Sequence, residues 1–310
     1  MPVLSIVACR MQEDELVYLL SADREVRELL LVDGMQSLNI SAKLRAQSRP
    51  HLLLGLDKIA PHLRERLSRS GGIFSRSSTG PKTKELVVVV SPLPLGLHSD
   101  LEQLKAAVYD NIRSLAAFSD GILIFYGKCG NALADLEQDL ADLACPLYFL
   151  TDERGERIDD CIALALGGNE DYDRTLAEHQ DVALFMTPMW ASNWKAMGDE
   201  AASGKRPDLG AMLKGTGMTK VARIDTGLLF EPGFVEKVDS FAQKFGLQRI
   251  ELPGGTAVAK GCYERAKSCL AAARPVIARP GARVDNFNSK GWLEPMRAIC
   301  RITRKKFQGE

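Results

Sequence analysis

Seven cysteines, at positions 9, 129, 145, 161, 262, 269 and 300, are the residues of this chain best suited to chemistry. An odd, scattered set makes a poor disulfide framework. In a reducing compartment such residues serve as buried apolar side chains, metal ligands or reactive thiols. Three of them share one kind of local setting. Cys9 closes the apolar run LSIVA and a helix-like stretch follows. Cys129 follows the run ILIFY in the segment GKCGNALADLE. Cys161 stands in RIDDCIALAL, at the start of a helix that follows the run PLYFL. In an open parallel sheet, ligand sites form at the carboxyl ends of strands, so three such junctions can gather thiols that are far apart in sequence. A helix start also favours the thiolate, the form that binds metal or attacks an electrophile.

The neighbours of these cysteines fit a site. Gly127 and Gly130 flank Cys129 and let the backbone turn tightly against a ligand. Asn131, Asp159 and Asp160 are the candidate catalytic side chains, each able to cap a helix or orient a ligand. Thr187 and Trp190, in MTPMWASNW, end another strand and suit a pocket wall that stacks on a flat ligand. Thr226 and Gly227 follow a strand in the same way. With Gly127 and Gly130 they form the candidate cofactor-binding set, and Cys9, Cys129 and Cys161 are the candidate metal ligands.

Each feature also has a plain structural reading. A single cysteine is as often a buried core thiol. Cys145, Cys262, Cys269 and Cys300 lie in helical or apolar surroundings without flanking glycines and read as structural. The cysteines are not paired as CxxC, so no zinc-ribbon or ferredoxin spacing is present. Trp190 and Pro188 fit a core aromatic and a helix start equally well. GGN at 167–169 reads better as a helix end than as an anion loop. Asp225-Thr226-Gly227 has the letters of an aspartic protease triplet, but neither a second copy nor an all-β pattern accompanies it. Four histidines, of which His98 is the best placed, leave little for a serine triad, and no phosphate-binding glycine loop occurs.

The elements that must position these residues alternate. Apolar, β-branched runs at 3–8, 28–33, 86–90, 121–126, 146–150, 182–187, 221–225 and 248–252 read as buried strands. Helical stretches are expected at 12–20, 101–117, 131–143, from 159 and at 234–245. The expected fold is therefore α/β, a mostly parallel sheet with helices on both faces and the cysteines at the carboxyl ends of strands. One α/β domain is expected over 1–255, with an inserted helical and loop segment at about 40–84. Residues 256–310 are expected to be a helical extension and basic tail.

Bulk composition narrows the class. Hydrophobic residues make up 45% and charged residues 26%, which is ordinary for a globular protein. Forty basic residues balance forty acidic ones. A neutral chain has no general pull towards nucleic acid or anionic membrane, and the basic loop 64–84 reads as a solvated segment. No apolar stretch is long enough to span a bilayer. The opening MPVLSIVACRMQEDEL lacks a basic leader, so a cytoplasmic location is expected.

Taken together, the pieces IVACRMQEDEL, GLHSDLEQLKAAV, ILIFYGKCGNALADLE, RIDDCIALALGGNEDY, LFMTPMW and IDTGL resemble the family catalogued as domain of unknown function 1638. The resemblance covers residues 1–10 and 95–250. Its most specific parts are the CGNG-like and HDCI-like segments. Here the family's usual His-Asp-Cys is Asp159-Asp160-Cys161, and the second glycine of CGNG is Ala132. The resemblance implies an α/β domain centred on Cys9, Cys129 and Cys161. It also implies a setting in methyl-transfer or one-carbon metabolism, because members are often encoded beside corrinoid-dependent methyltransferase systems.

The function expected is a metal- or iron-sulfur-binding protein with one three-cysteine site, holding a [4Fe-4S] cluster or zinc. This leans towards an enzyme of transferase or lyase type. Its partners would be a small-molecule substrate or a corrinoid or methyltransferase protein carrying the corrinoid, with no nucleic acid and no membrane; a homo-oligomer fits equally. Two alternatives stay open: a non-catalytic carrier-binding module with structural cysteines, and a metal-free thiol enzyme.

Overall fold

A computed structural model describes residues 1–70, 85–95, 97, 100–199, 213 and 217–270. His98, Cys300, most of the basic loop and the basic tail lie outside the described residues. Six strands form one all-parallel sheet: β1 (Val3–Cys9), β2 (Val26–Val32), β3 (Leu52–Leu54), β4 (Leu86–Leu93), β5 (Gly121–Phe125) and β6 (Leu147–Phe149). Their order across the sheet is β3-β2-β4-β1-β5-β6. A second parallel sheet of β7 (Val182–Met186), β8 (Lys220–Asp225) and β9 (Gln248–Pro253) has the order β7-β8-β9. The α/β class read from the strand–helix alternation holds, with the strands divided between two sheets rather than one.

Strands buried on both faces need apolar side chains at every position, and β1 and β4 are buried along their whole length. The period of two sends alternate residues to opposite cores. Leu4, Ile6 and Ala8 of β1 face one cluster, and Val3, Val7 and Cys9 face the other. In the same way Leu123 and Phe125 point to the first, while Ile122, Ile124 and Tyr126 point to the second. Cys9 and Tyr126 therefore share a face.

The helices sort by the same rule. α1 (Glu13–Ala22), α2 (Leu38–Ala46) and α6 (Cys161–Leu166) contribute to the first cluster, together with α10 (Ala257–Leu270). α3 (Leu56–Ser70) and α4 (Leu101–Ala116) pack on the opposite face. The chain leaving β1 enters α1 on one face, while the chain leaving β4 crosses to β5 through α4 on the other. The exits diverge at the carboxyl end of β1, the kind of place where open α/β sheets take their ligands.

Three local expectations change. The stretch 131–143, read as a helix, is mostly turns with the single short helix α5 (Leu136–Asp139). The reason lies upstream, where Cys129, Gly130 and Asn131 have φ of 47°, 67° and 67° in succession. A left-handed run cannot enter a right-handed helix directly. Residues 52–54, read within a helix, form β3 at the edge of the main sheet. Residues 257–270, read as the start of an extension, form α10, whose Cys262, Tyr263, Ala266 and Leu270 are buried in the first cluster.

Candidate functional site

The site is built at the carboxyl ends of β1 and β5. β1 ends on Cys9, and the chain turns at once through a 3-10 turn, Arg10–Gln12, into α1. The Cys9 sulfur accepts a hydrogen bond from the Met11 N–H at 3.4 Å. Burial pushes the Cys9 thiol up to about 12, against the pull of the Met11 and Gln12 N–H groups. Tyr126, the residue after β5, is fully buried beside it and hydrogen-bonds to the Cys9 side chain. Burial first, then the charges of Cys9 and Cys129, hold the Tyr126 phenol well above its ordinary range.

Cys129 reaches the same apolar cluster through the left-handed turn. That turn is laced to the strand leading to α6: Lys128 N–H donates to Ile158 O, and Cys129 N–H to Asp159 O, each at 2.8 Å. Gly127 makes the approach feasible. A Cβ there would stand 2.7 Å from both Asp159 O and Asp160 N. The two loops that carry Cys129 and Cys161 thus lie back to back, with no room for a side chain between them.

Cys161 is the first residue of α6. Asp160 caps the helix, its carboxylate accepting from Ile162 N–H at 2.8 Å and Ala163 N–H at 2.9 Å. The Cys161 sulfur accepts a hydrogen bond from the Trp190 indole N–H at 3.2 Å. Burial raises this thiol well above its ordinary value, and the charges of Asp160, Cys9 and Cys129 add to it, while Trp190 opposes. Cys9 and Cys129 lie in one apolar cluster, and Cys161 packs against it. All six described cysteines are free thiols. At least one pair of the three sulfurs lies more than 4.8 Å apart, since the one trio of metal-type ligand atoms gathered within that distance among the described residues is Glu13, Asp14 and Glu231.

The other candidate residues take varied places. Asp159 forms an ion pair with Lys128 at 2.6 Å, and its N–H donates to Asn169 Oδ1, so it braces the loop. Asn131 and Gly130 are exposed on the outer side of the turn. Thr187 is buried at the end of β7, its hydroxyl accepting from Trp190 N–H at 3.4 Å. Thr226 is buried at the end of β8, and Gly227 is exposed with its N–H held by Asp225. Trp190 and Thr187 meet the thiol region; no contact of Thr226 or Gly227 with it is seen among the described residues.

One cluster next to Cys9 was not singled out from the sequence. Gln12, Glu13, Asp14 and Glu15, at the start of α1, are all buried. Lys43 of α2 reaches Glu13 at 2.9 Å, Asp14 at 2.6 Å and also Glu231. It further contacts the Met189 sulfur at 3.1 Å. These partners outweigh burial and raise the Lys43 ammonium above its ordinary range. Burial pushes Glu15 up to about 7. Burial also opposes ionisation of Glu231, but hydrogen bonds from Lys43, Ser192 and Lys237 win and bring it down to about 2. Met189, Trp190 and Ser192 belong to α8 (Pro188–Asp199), and Lys237 to α9 (Phe234–Phe245). The acids of α1 thereby bind the second sheet's helices to the Cys9 turn. The only trace of it in the sequence is three consecutive acids, Glu13 to Glu15, four residues after a strand-end cysteine.

A surface cleft of about 430 Å³ opens elsewhere, between Gly167, Asp171 and His179 on one side and Gly254 and Gly255 on the other. It contains none of the three thiols. No helix among the described residues is long and apolar enough to cross a membrane. No curated protein and no solved structure matches the chain. A family model described as protein of unknown function (DUF1638) matches residues 92–263. That span includes Cys129, Cys161, Thr187 and Trp190 but begins after β1 and Cys9. It covers more than half of the sequence, and the chain belongs to the DUF1638 family.

Proposed function

We propose that this protein binds one metal centre through Cys9, Cys129 and Cys161 and uses it in methyl-transfer or one-carbon metabolism. The observation that carries the metal reading is that Cys9 and Cys129, from separate segments, lie with Tyr126 in one apolar cluster against which Cys161 packs. Three neighbouring thiolates, two of them buried and Cys161 partly so, repel one another and have lost water, so the trio is disfavoured as anions until a cation neutralises it. A bound centre would therefore displace their protons, and its affinity would rise with pH.

Spacing counts against a single tetrahedral ion. Zinc–sulfur bonds of about 2.3 Å put tetrahedral ligand sulfurs about 3.8 Å apart. The three sulfurs here are spread more widely than 4.8 Å in at least one pair. An iron–sulfur cube holds its ligands further apart than one ion does, and three cysteines leave one iron open for a substrate. The metabolic setting rests on the family resemblance alone. A small-molecule substrate at the open position, or a corrinoid protein docking there, are the partners we propose with it.

Metal and acid-labile sulfide analysis of protein purified without oxygen tests the reading, alongside Cys9→Ala, Cys129→Ala and Cys161→Ala. Iron and sulfide lost in all three variants are the expected result. Zinc lost in all three would transfer the site to thiolate–zinc chemistry. Metal indifferent to the three changes would end the proposal and leave a thiol enzyme or a carrier-binding module.

A further inference from the structure

We infer that Trp190 is the positioning residue of the thiol site: its indole N–H holds the Cys161 sulfur and withdraws charge from it. This rests on the reading that Cys161 is a metal ligand. The geometry goes beyond a stacking wall. The indole N–H points at the sulfur at 3.2 Å. The Trp190 main chain is itself fixed, its N–H donating to the buried Thr187 hydroxyl at 3.4 Å. The ring packs against all three apolar clusters of the protein, so it has contacts on both sheets at once. A residue clamped on three sides presents its donor in one direction without the loss of rotamer freedom that a mobile donor incurs.

A hydrogen bond to a ligating sulfur is one of the levers by which a protein tunes a metal centre, and outer partners of this kind alter metal affinity about 10- to 100-fold. Trp190 belongs to α8, on the second sheet, whereas Cys9 and Cys129 belong to the first. The contact thus makes the charge on one ligand depend on where the second sheet's helix sits. A substrate or partner that displaced α8 would lengthen this bond and make the Cys161 sulfur more electron-rich.

Iron and sulfide, reconstituted into metal-free full-length protein, are the probe, because sulfur-to-iron charge transfer reports the charge on the ligand sulfurs. Trp190→Phe keeps a ring and loses the N–H. The expected result is a charge-transfer band of wild-type intensity, moved to lower energy, with iron lost to a chelator about tenfold more readily. Wild-type protein grown on 5-fluorotryptophan, whose N–H is the stronger donor, should move the band the other way, and labelled Trp190→Phe should not. This second measurement stands even where the Phe variant fails to fold. Unchanged band and chelator sensitivity in both preparations would overturn the role of Trp190 while leaving the three-thiol site intact. A band that survives Cys161→Ser, or no band in the wild type, would remove the three-thiol site and this inference with it.

Discussion

Gly127 is the point where one added carbon reaches the thiols. Its missing side chain lets the Cys129 turn lie directly on the Asp159–Asp160 backbone. Gly127→Ala should force the two loops apart and lower stability by about 2 kcal/mol, as overpacking does. Its effect on metal content should exceed that of Asp160→Ala, which removes only a helix cap. Urea denaturation and metal analysis of the two variants check both expectations; equal metal content in the Gly127 variant would show that loop contact does not hold the sulfurs. At this scale the sequence was informative where chemistry and conformation coincide. Glycines around a cysteine announce a tight turn. The roles of Asp159 and Asn131 were not legible, because an Asp ion-paired to its neighbour Lys128 and a solvent-facing Asn carry the same letters as catalytic ones.

Among the elements, α1 and α2 are joined to α8 and α9 by Lys43. Lys43→Met removes the one ammonium shared by Glu13, Asp14 and Glu231 and leaves buried carboxylates uncompensated. A loss of about 3–5 kcal/mol is expected, the usual cost of breaking one partner from a buried ion pair. Pairing Lys43→Met with Glu231→Gln should recover part of it, which a double-mutant cycle by chemical denaturation measures. The strands were readable because residues buried on both faces form uninterrupted apolar runs. The same uniformity hid how they divide. A strand without alternation does not say which sheet it joins, so β7–β9 looked like more of the first sheet. The ion cluster was hidden for a different reason. Gln12 to Glu15 have the letters of an ordinary helix start, and only the packing of α8 over the Arg10–Gln12 turn makes that start an interior.

Across the whole molecule, α10 is fastened to the chain near its other end. The Asp23 carboxylate accepts from Lys267 Nζ at 2.6 Å, from Tyr263 Oη at 2.9 Å and from Glu25 N–H at 2.8 Å. Burial works against the Asp23 anion, but these donors outweigh it and hold its pKa below the usual carboxylate value. The stabilisation is complete above the unfolded value of about 3.9 and disappears as pH falls through the lower, folded one. Asp23→Asn should therefore cost stability at pH 6 and progressively less below pH 4. Thermal melts of both proteins from pH 6 to pH 2 measure this, and a gap that stays constant across the range would assign the loss to packing alone. That α10 is a core helix was not visible from its letters, since AVAKGCYERAKSCL has the mixed polarity of a surface segment.

The strand order β3-β2-β4-β1-β5-β6 has a consequence for synthesis. β1 is made before both of its neighbours, and its two edges remain open until residues 86–93 and then 121–125 have left the ribosome. Through that interval VLSIVAC is an apolar segment with unpaired backbone on both sides, the kind of sequence that seeks any strand on offer. The nascent chain therefore passes through a long stage in which its future central strand is exposed on both edges.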